Sequence, residues 1–165
     1  TCMGCHGIDG YRNAYPSFRV PKLGGQKQEY LVIALQGYAN QMRGHNTMHA
    51  QAASLTEQDM RDIAAWFAAE GGPQEGAPVD APGKDKVATC AACHGETGIS
   101  PAPNWPNLAG QHQDYLVHAI QQYRDGVRKD PVMAGLVTGL SDDDIKAIAA
   151  DYAAQAGLFT VHLQN

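Results

Sequence analysis

The chain has 165 residues, a net charge of −5 at pH 7 and four cysteines. That length permits one ordinary domain or two small ones. Residues 1–80 carry 6 basic and 8 acidic side chains and residues 81–165 carry 6 and 9, so neither half is a basic arm and the charge argues against nucleic acid as a partner.

The chain opens on Cys2-Met3-Gly4-Cys5-His6, and Cys90-Ala91-Ala92-Cys93-His94 repeats the pattern in the second half. Each is a C-x-x-C-H haem attachment sequence. Two thiols about one helical turn apart on one face can add across the two vinyl groups on one porphyrin edge. The histidine that follows directly can aim a ring nitrogen at the iron. The two copies use all four cysteines, leaving none for a disulfide or a thiol nucleophile. A zinc site built from the cysteines would leave both histidines unexplained. A thioredoxin-type dithiol would want a βαβ setting, and the surrounding pattern is helical. The expected cofactors are two covalent haem c groups, attached through Cys2, Cys5, Cys90 and Cys93, with His6 and His94 on the irons. Such attachment takes place outside the cytoplasm, and no apolar leader opens the chain, so it reads as a mature, exported protein. Only Thr1 precedes Cys2, whereas Gly83 to Thr89 reads as the opening of a helix before Cys90. A first helix is therefore expected to be missing from the first half.

Gly7 to Gly24, rich in Gly, Pro, Tyr and Asn, reads as a loop over a haem edge. Gln28 to Tyr38 reads as a helix. Ala39 to Ser54 reads as a second loop, containing Met42, His45, Met48 and His49. Thr56 to Glu70 is the clearest helix: Thr56 and Asp59 form a capping-box variant, and Met60, Ile63, Ala64 and Phe67 make one apolar stripe. Gly71-Gly72-Pro73 stops it. Gly71 to Asp85 holds three prolines and four glycines and reads as a linker. The second half follows the same plan, with Ser141 and Asp144 capping a helix whose stripe is Ile145, Ile148, Ala149 and Tyr152. Leu158 to Asn165 has no evident role. No segment reads as a strand, and no run of 18 apolar residues exists to span a membrane.

An internal repeat fixes the architecture. Gly25-Gln26-Lys27-Gln28-Glu29-Tyr30-Leu31 matches Gly110-Gln111-His112-Gln113-Asp114-Tyr115-Leu116 at an offset of 85. The haem motifs are offset by 88, so the loop after the first is three residues longer. The expectation is an all-α protein of two tandem haem domains, residues 1–72 and 85–165, joined by a linker at 73–84.

The repeat also selects further site residues. Met48 and Met133 occupy equivalent positions, each in a loop before a capped helix, and are the expected sixth ligands. A thioether favours reduced iron. Met42, His45 and His49 compete in the first half, but their equivalents are Val127, Asp130 and Ala134, which are poor haem ligands. The segments at Pro21 and Pro106 can supply a backbone carbonyl to the ligating histidines. Arg43 and Arg128 either pair with a haem propionate or are solvated loop charges. Tyr38 and Tyr123 are expected to pack on the haem, Trp66 and Trp105 to lie in the core, and His112 and His118 to be solvated or satisfied.

The tandem C-x-x-C-H units, the Pro-x-Leu-Gly/Ala-Gly-Gln segments, the Tyr-Leu helices and the Arg…Met loops resemble the cytochrome c4 family of diheme class I cytochromes c. The likeness covers nearly the whole chain and is most specific between Trp105 and Met133. It implies two all-α domains about a pseudo-twofold axis, with haem propionates near the contact. It implies His6 with Met48 and His94 with Met133 as axial pairs, and a periplasmic electron carrier. The implied partners are a donor such as a quinol-oxidising complex and an acceptor such as a terminal oxidase, often beside the inner membrane. The absent first helix departs from the family and puts the cover over Ile63 and Phe67 in question. Two other classes are the cytochrome subunit of a sulfur-compound-oxidising or flavocytochrome dehydrogenase complex, and a diheme peroxidase using His45 or His49.

Overall fold

The computed structural model describes residues 1–162. Among them the chain forms α1 (Met3–His6), α2 (Gln28–Ala39), α3 (Asn46–Ala52), α4 (Glu57–Ala69), α5 (Ala88–His94), α6 (Gln113–Arg124), α7 (Pro131–Val137) and α8 (Asp142–Ala154). Only isolated backbone bridges accompany the helices. The second half repeats the first: α2 packs on α3 and α4, and α6 packs on α7 and α8.

The capped helices start where their side chains satisfy the first free N–H groups. Asp59 N–H donates to Thr56 Oγ1 at 3.1 Å while Thr56 N–H donates to Asp59 Oδ2 at 2.8 Å. Ser141 and Asp144 repeat the arrangement at 3.1 and 3.2 Å. Each such cap contributes about 1 kcal/mol. The apolar stripes then build two cores. One holds Leu31, Ala64 and Phe67, and the other Val87, Leu116, Ile148, Ala149 and Tyr152.

Several expectations are corrected. Met48 and Met133 do not sit in loops. They lie on the short helices α3 and α7. Seven residues give too few turns for a periodic signal, so the caps carry the information. His45 Nδ1 accepts from Met48 N–H at 3.2 Å. Asp130 accepts from Val132 and Met133 N–H, and Pro131 stands at the first helical position. α5 begins at Ala88 rather than near Gly83, because Gly83 takes φ +102° and opens a turn instead. Trp66 and Trp105 are not core residues, with 40 % and 38 % of their surface exposed.

The tail from Leu158 crosses to the first half. Gly24 and Phe159 exchange backbone hydrogen bonds at 3.0 and 3.1 Å. Val161 is buried with Leu31, Ala64 and Phe67, and Phe159, Ile63 and Met3 pack against them. The face over Ile63 and Phe67 is thus covered by the end of the second repeat. The remainder of the expected tail, residues 163–165, lies outside the described residues. Between α4 and α5 the chain is held to the second half: Gln74 N–H donates to the Gly157 carbonyl, and the Gln155 amide brackets both backbone groups of Val79.

Candidate haem sites and the interface between them

None of the four cysteines is paired in a disulfide. Cys90 and Cys93 stand one turn apart within α5, whereas Cys2 is the N-cap of the shorter α1 and Cys5 lies within it.

Each motif histidine is tied down at one nitrogen. His6 Nδ1 lies 2.9 Å from the Pro21 carbonyl, and His94 Nδ1 lies 3.0 Å from that of Pro106. A carbonyl only accepts, so Nδ1 carries the hydrogen and Nε2 keeps its lone pair. Burial lowers the pKa of both rings, which keeps them neutral and able to ligate a metal. The two loops differ by three residues, yet the same carbonyl is reached in both.

Arg43 and Arg128 are not solvated charges. They are 8 % and 4 % exposed and pair backbone to backbone across the contact between the halves. Tyrosines surround them. Arg43 donates twice to Tyr30 Oη at 3.0 Å and lies 5.1 Å from the centre of the Tyr38 ring. Arg128 donates to Gln122 Oε1 at 2.7 Å and to Tyr115 Oη at 3.3 Å, and lies 5.6 Å from the Tyr123 ring. Among the described residues no carboxylate forms an ion pair with either guanidinium. Arg43 Nε is buried with no partner at all. Two buried cations and an orphaned donor call for anions. Haem propionates are anions of the required kind, and with two Cys-x-x-Cys pairs outside any disulfide and the oriented imidazoles the residues fit two haem c groups.

The other histidines also make defined contacts. His118 stacks on Phe18 with ring centres 4.2 Å apart, and Phe18 also meets the His45 ring edge-on. His49 Nδ1 lies 2.9 Å from the Tyr38 carbonyl. Burial, then Lys22 and Arg19, push His112 down to about 4.

Apart from Arg43 and Arg128, the residues that join the halves were not singled out from sequence. Asp114 accepts from Arg19 N–H and Nε at 3.1 Å and pairs with Arg12 at 3.1 Å. Lys22 Nζ donates to the Gly110 carbonyl at 2.6 Å. Gln26, Asn107 and Gln111 are buried between the repeats. The one signal for Gln26, Gln111 and Asp114 was their place in the repeated stretch, Gly25–Leu31 and Gly110–Leu116.

These features define a two-domain, covalently haem-bearing electron-transfer fold. The cytochrome c family model matches twice, over residues 1–69 and 81–150, and the chain belongs to that family. It is 51 % identical to cytochrome c4 of Pseudomonas aeruginosa over 75 residues, 46 % of this chain and 37 % of that one. It is 31 % identical to the thiosulfate dehydrogenase electron acceptor of Stutzerimonas stutzeri over 174 residues, covering 95 % of this chain and 79 % of that one. Reduced cytochrome c4 from Pseudomonas stutzeri superposes with a TM-score of 0.76 at 28 % identity, covering 93 % of each chain. The P. aeruginosa match thus spans little more than a third of that relative. Family membership and both C-x-x-C-H motifs give this chain two covalent haem c groups. No helix among the described residues is long and apolar enough to cross a membrane.

Proposed function

We propose that the protein is a diheme electron carrier of the cytochrome c4 type, with His6 and Met48 as one axial pair and His94 and Met133 as the other. The bound haem supplies a one-electron iron couple. The chain supplies the rest: thioether tethers from the four cysteines, a neutral imidazole aimed by a proline carbonyl, and a methionine sulfur from a capped helix. Arg43 and Arg128, with Tyr30, Tyr115, Tyr38 and Tyr123, offer donors to the propionates where the halves meet. The observation that carries this reading is the duplicated histidine–carbonyl bond, at 2.9 and 3.0 Å, in two repeats of unequal loop length. Saturated iron has no open position for a substrate, so the reading is electron exchange without bond chemistry.

The location is the periplasm, where such attachment is made. The partners are redox proteins: a quinol-oxidising complex as donor and a terminal oxidase as acceptor, beside the inner membrane. A second reading, acceptor for a sulfur-compound dehydrogenase, is favoured by the likeness to the S. stutzeri thiosulfate dehydrogenase electron acceptor across both repeats.

An optical redox titration of the holoprotein tests the ligands through the near-infrared methionine–iron band. Two bands' worth of intensity is expected, falling by half in Met48→Ala and in Met133→Ala. Full intensity surviving either substitution would overturn that assignment. Reduction by a thiosulfate dehydrogenase faster than by a quinol-oxidising complex would move the second reading ahead of the first.

A further inference from the structure

Gln26 and Gln111 occupy equivalent places in the repeat. Each is the last residue of a four-residue turn, closed by Gln26 N–H to the Leu23 carbonyl and by Gln111 N–H to the Leu108 carbonyl, both at 3.2 Å. The third residues, Gly25 and Gly110, take φ of +79° and +71°, which this turn requires and which a side chain would resist. The turn sends each glutamine across to the opposite repeat.

There the two side chains make the same pair of bonds. Gln111 Nε2 donates to the Lys22 carbonyl at 3.1 Å, and Lys22 N–H donates to Gln111 Oε1 at 3.0 Å. Gln26 Nε2 donates to the Asn107 carbonyl at 3.0 Å, and Asn107 N–H donates to Gln26 Oε1 at 2.9 Å. Each Oε1 is also held from its own side, by Lys27 N–H at 2.9 Å and by His112 N–H at 3.0 Å. The clamped residues, Lys22 and Asn107, directly follow Pro21 and Pro106. The peptide between them is the one whose carbonyl holds the motif histidine. Its carbonyl oxygen belongs to the proline and its N–H to the residue that the glutamine grips.

We infer that Gln26 and Gln111 are reciprocal positioning residues: each repeat fixes the peptide that orients the other repeat's haem-ligating histidine. The inference rests on His6 and His94 being the iron ligands. Its physical basis is the dependence of imidazole donor strength on the Nδ1 hydrogen bond. A peptide gripped at its N–H cannot tilt its carbonyl away from the ring. Both glutamines are nearly buried, at 7 % and 5 % exposure, so water does not readily replace the lost partner. Release of the clamp weakens the carbonyl bond and makes the imidazole a poorer donor. Oxidised iron is then less stabilised, and the potential of that haem rises.

The test is a pair of substitutions in the holoprotein, Gln111→Leu and Gln26→Leu, with the midpoint potential of each haem measured. Met48→His and Met133→His backgrounds assign the two midpoints, because the substituted haem drops to low potential. Gln111→Leu is expected to raise the midpoint of the His6 haem and leave that of the His94 haem in place. The change in the oxidised-to-reduced ratio at fixed potential is about two- to threefold, or about 20–30 mV at 59 mV per tenfold. Gln26→Leu is expected to do the reverse. Gln111→Asn and Gln26→Asn stay neutral and keep the amide but are one methylene too short to reach the gripped peptide, and should shift the same haem in the same direction. A shift of the haem in the substituted residue's own repeat would overturn the inference. So would two unmoved potentials with helix content and methionine–iron bands intact. If the leucine variants do not fold, the asparagine pair decides by the same criterion. Absence of the methionine–iron bands in the unsubstituted protein would instead count against the ligand assignment.

Discussion

Val161→Ala is a small change in the second repeat's tail that should weaken the first repeat. Val161 is 2 % exposed and packs with Leu31, Ala64 and Phe67 of the first half. The substitution removes two methyl groups, about 1.6 kcal/mol at roughly 0.8 kcal/mol each. The cavity left behind brings the cost to about 2 kcal/mol or more. For a domain of this size, that is a fall in melting temperature of roughly 8–16 °C. Tryptophan fluorescence, quenched by haem in the folded protein, gives a reporter for each half. Trp66 stacks edge-on against Phe67 with centres 4.9 Å apart and reports the first half. A Trp105→Phe background isolates it, and a Trp66→Phe background isolates Trp105. Val161→Ala should lower the Trp66 transition. Val87→Ala, equally buried in the second core, should lower the Trp105 transition. A Trp66 transition that does not move with Val161→Ala would refute the claim that the tail completes the first core.

Three further outcomes follow from the structure. Gly110→Ala should lower the melting temperature, because φ is +71° and a new Cβ would stand 3.0 Å from the backbone of Leu158; left-handed backbone costs an alanine about 1–2 kcal/mol, and an unchanged melting curve would contradict it. The Lys86 ammonium, then the Ser141 hydroxyl and N–H, hold the Asp144 carboxyl at about 2. Since that pKa is depressed in the fold, the stability it contributes is present above the ordinary carboxylate range and is lost as pH falls from about 4 to about 2; acid titration of Asp144→Asn should lack this component. His112, held at about 4 against an ordinary 6.5, favours the neutral ring, so its contribution is present above pH 6.5 and is lost as pH falls towards 4. An NMR titration of His112 should show the low midpoint, and Lys22→Gln should raise it; a midpoint near 6.5 in the unsubstituted protein would refute the placement.

What the sequence showed and what it hid divide along one physical line. Signals carried by neighbouring residues were legible. The long helices could be read from their stripes and capping boxes, since i, i+3 and i, i+4 contacts are local. The doubling of the fold could be read from Gly25–Leu31 and Gly110–Leu116. The short helices α3 and α7 were hidden, because seven residues hold too few turns to show a period. Contacts between distant residues were also hidden. Nothing local to Arg43 says that it will face Arg128 rather than water, and nothing local to Phe159 says that it will reach Gly24. Trp66 and Trp105 misled for the same reason: a large apolar side chain suggests a core, but only the packed neighbours decide its exposure.

The interface explains why the two repeats diverge where they do. Each half lends the other a glutamine through the same turn, so those residues and the glycines before them match across the repeat. The residues they grip need only a backbone, so Lys22 and Asn107 are free to differ, and each does a separate task. Lys22 reaches the Gly110 carbonyl. Asn107 accepts from Ser100 N–H at 2.9 Å within its own half and donates to the Gly25 carbonyl at 2.8 Å across the contact. The cores differ for a related reason. Val87 and Cys90, on and just before α5, pack on the Tyr152 face, whereas Phe159 and Val161 of the tail pack on the Phe67 face. The first half therefore draws part of its core, and one clamp on its histidine peptide, from residues beyond position 110. The expected consequence is that residues 1–77 expressed alone with haem attachment will show lower helix content than the same residues in the intact chain. A separately stable first half with unchanged helix content and potential would mean that these cross-contacts are dispensable.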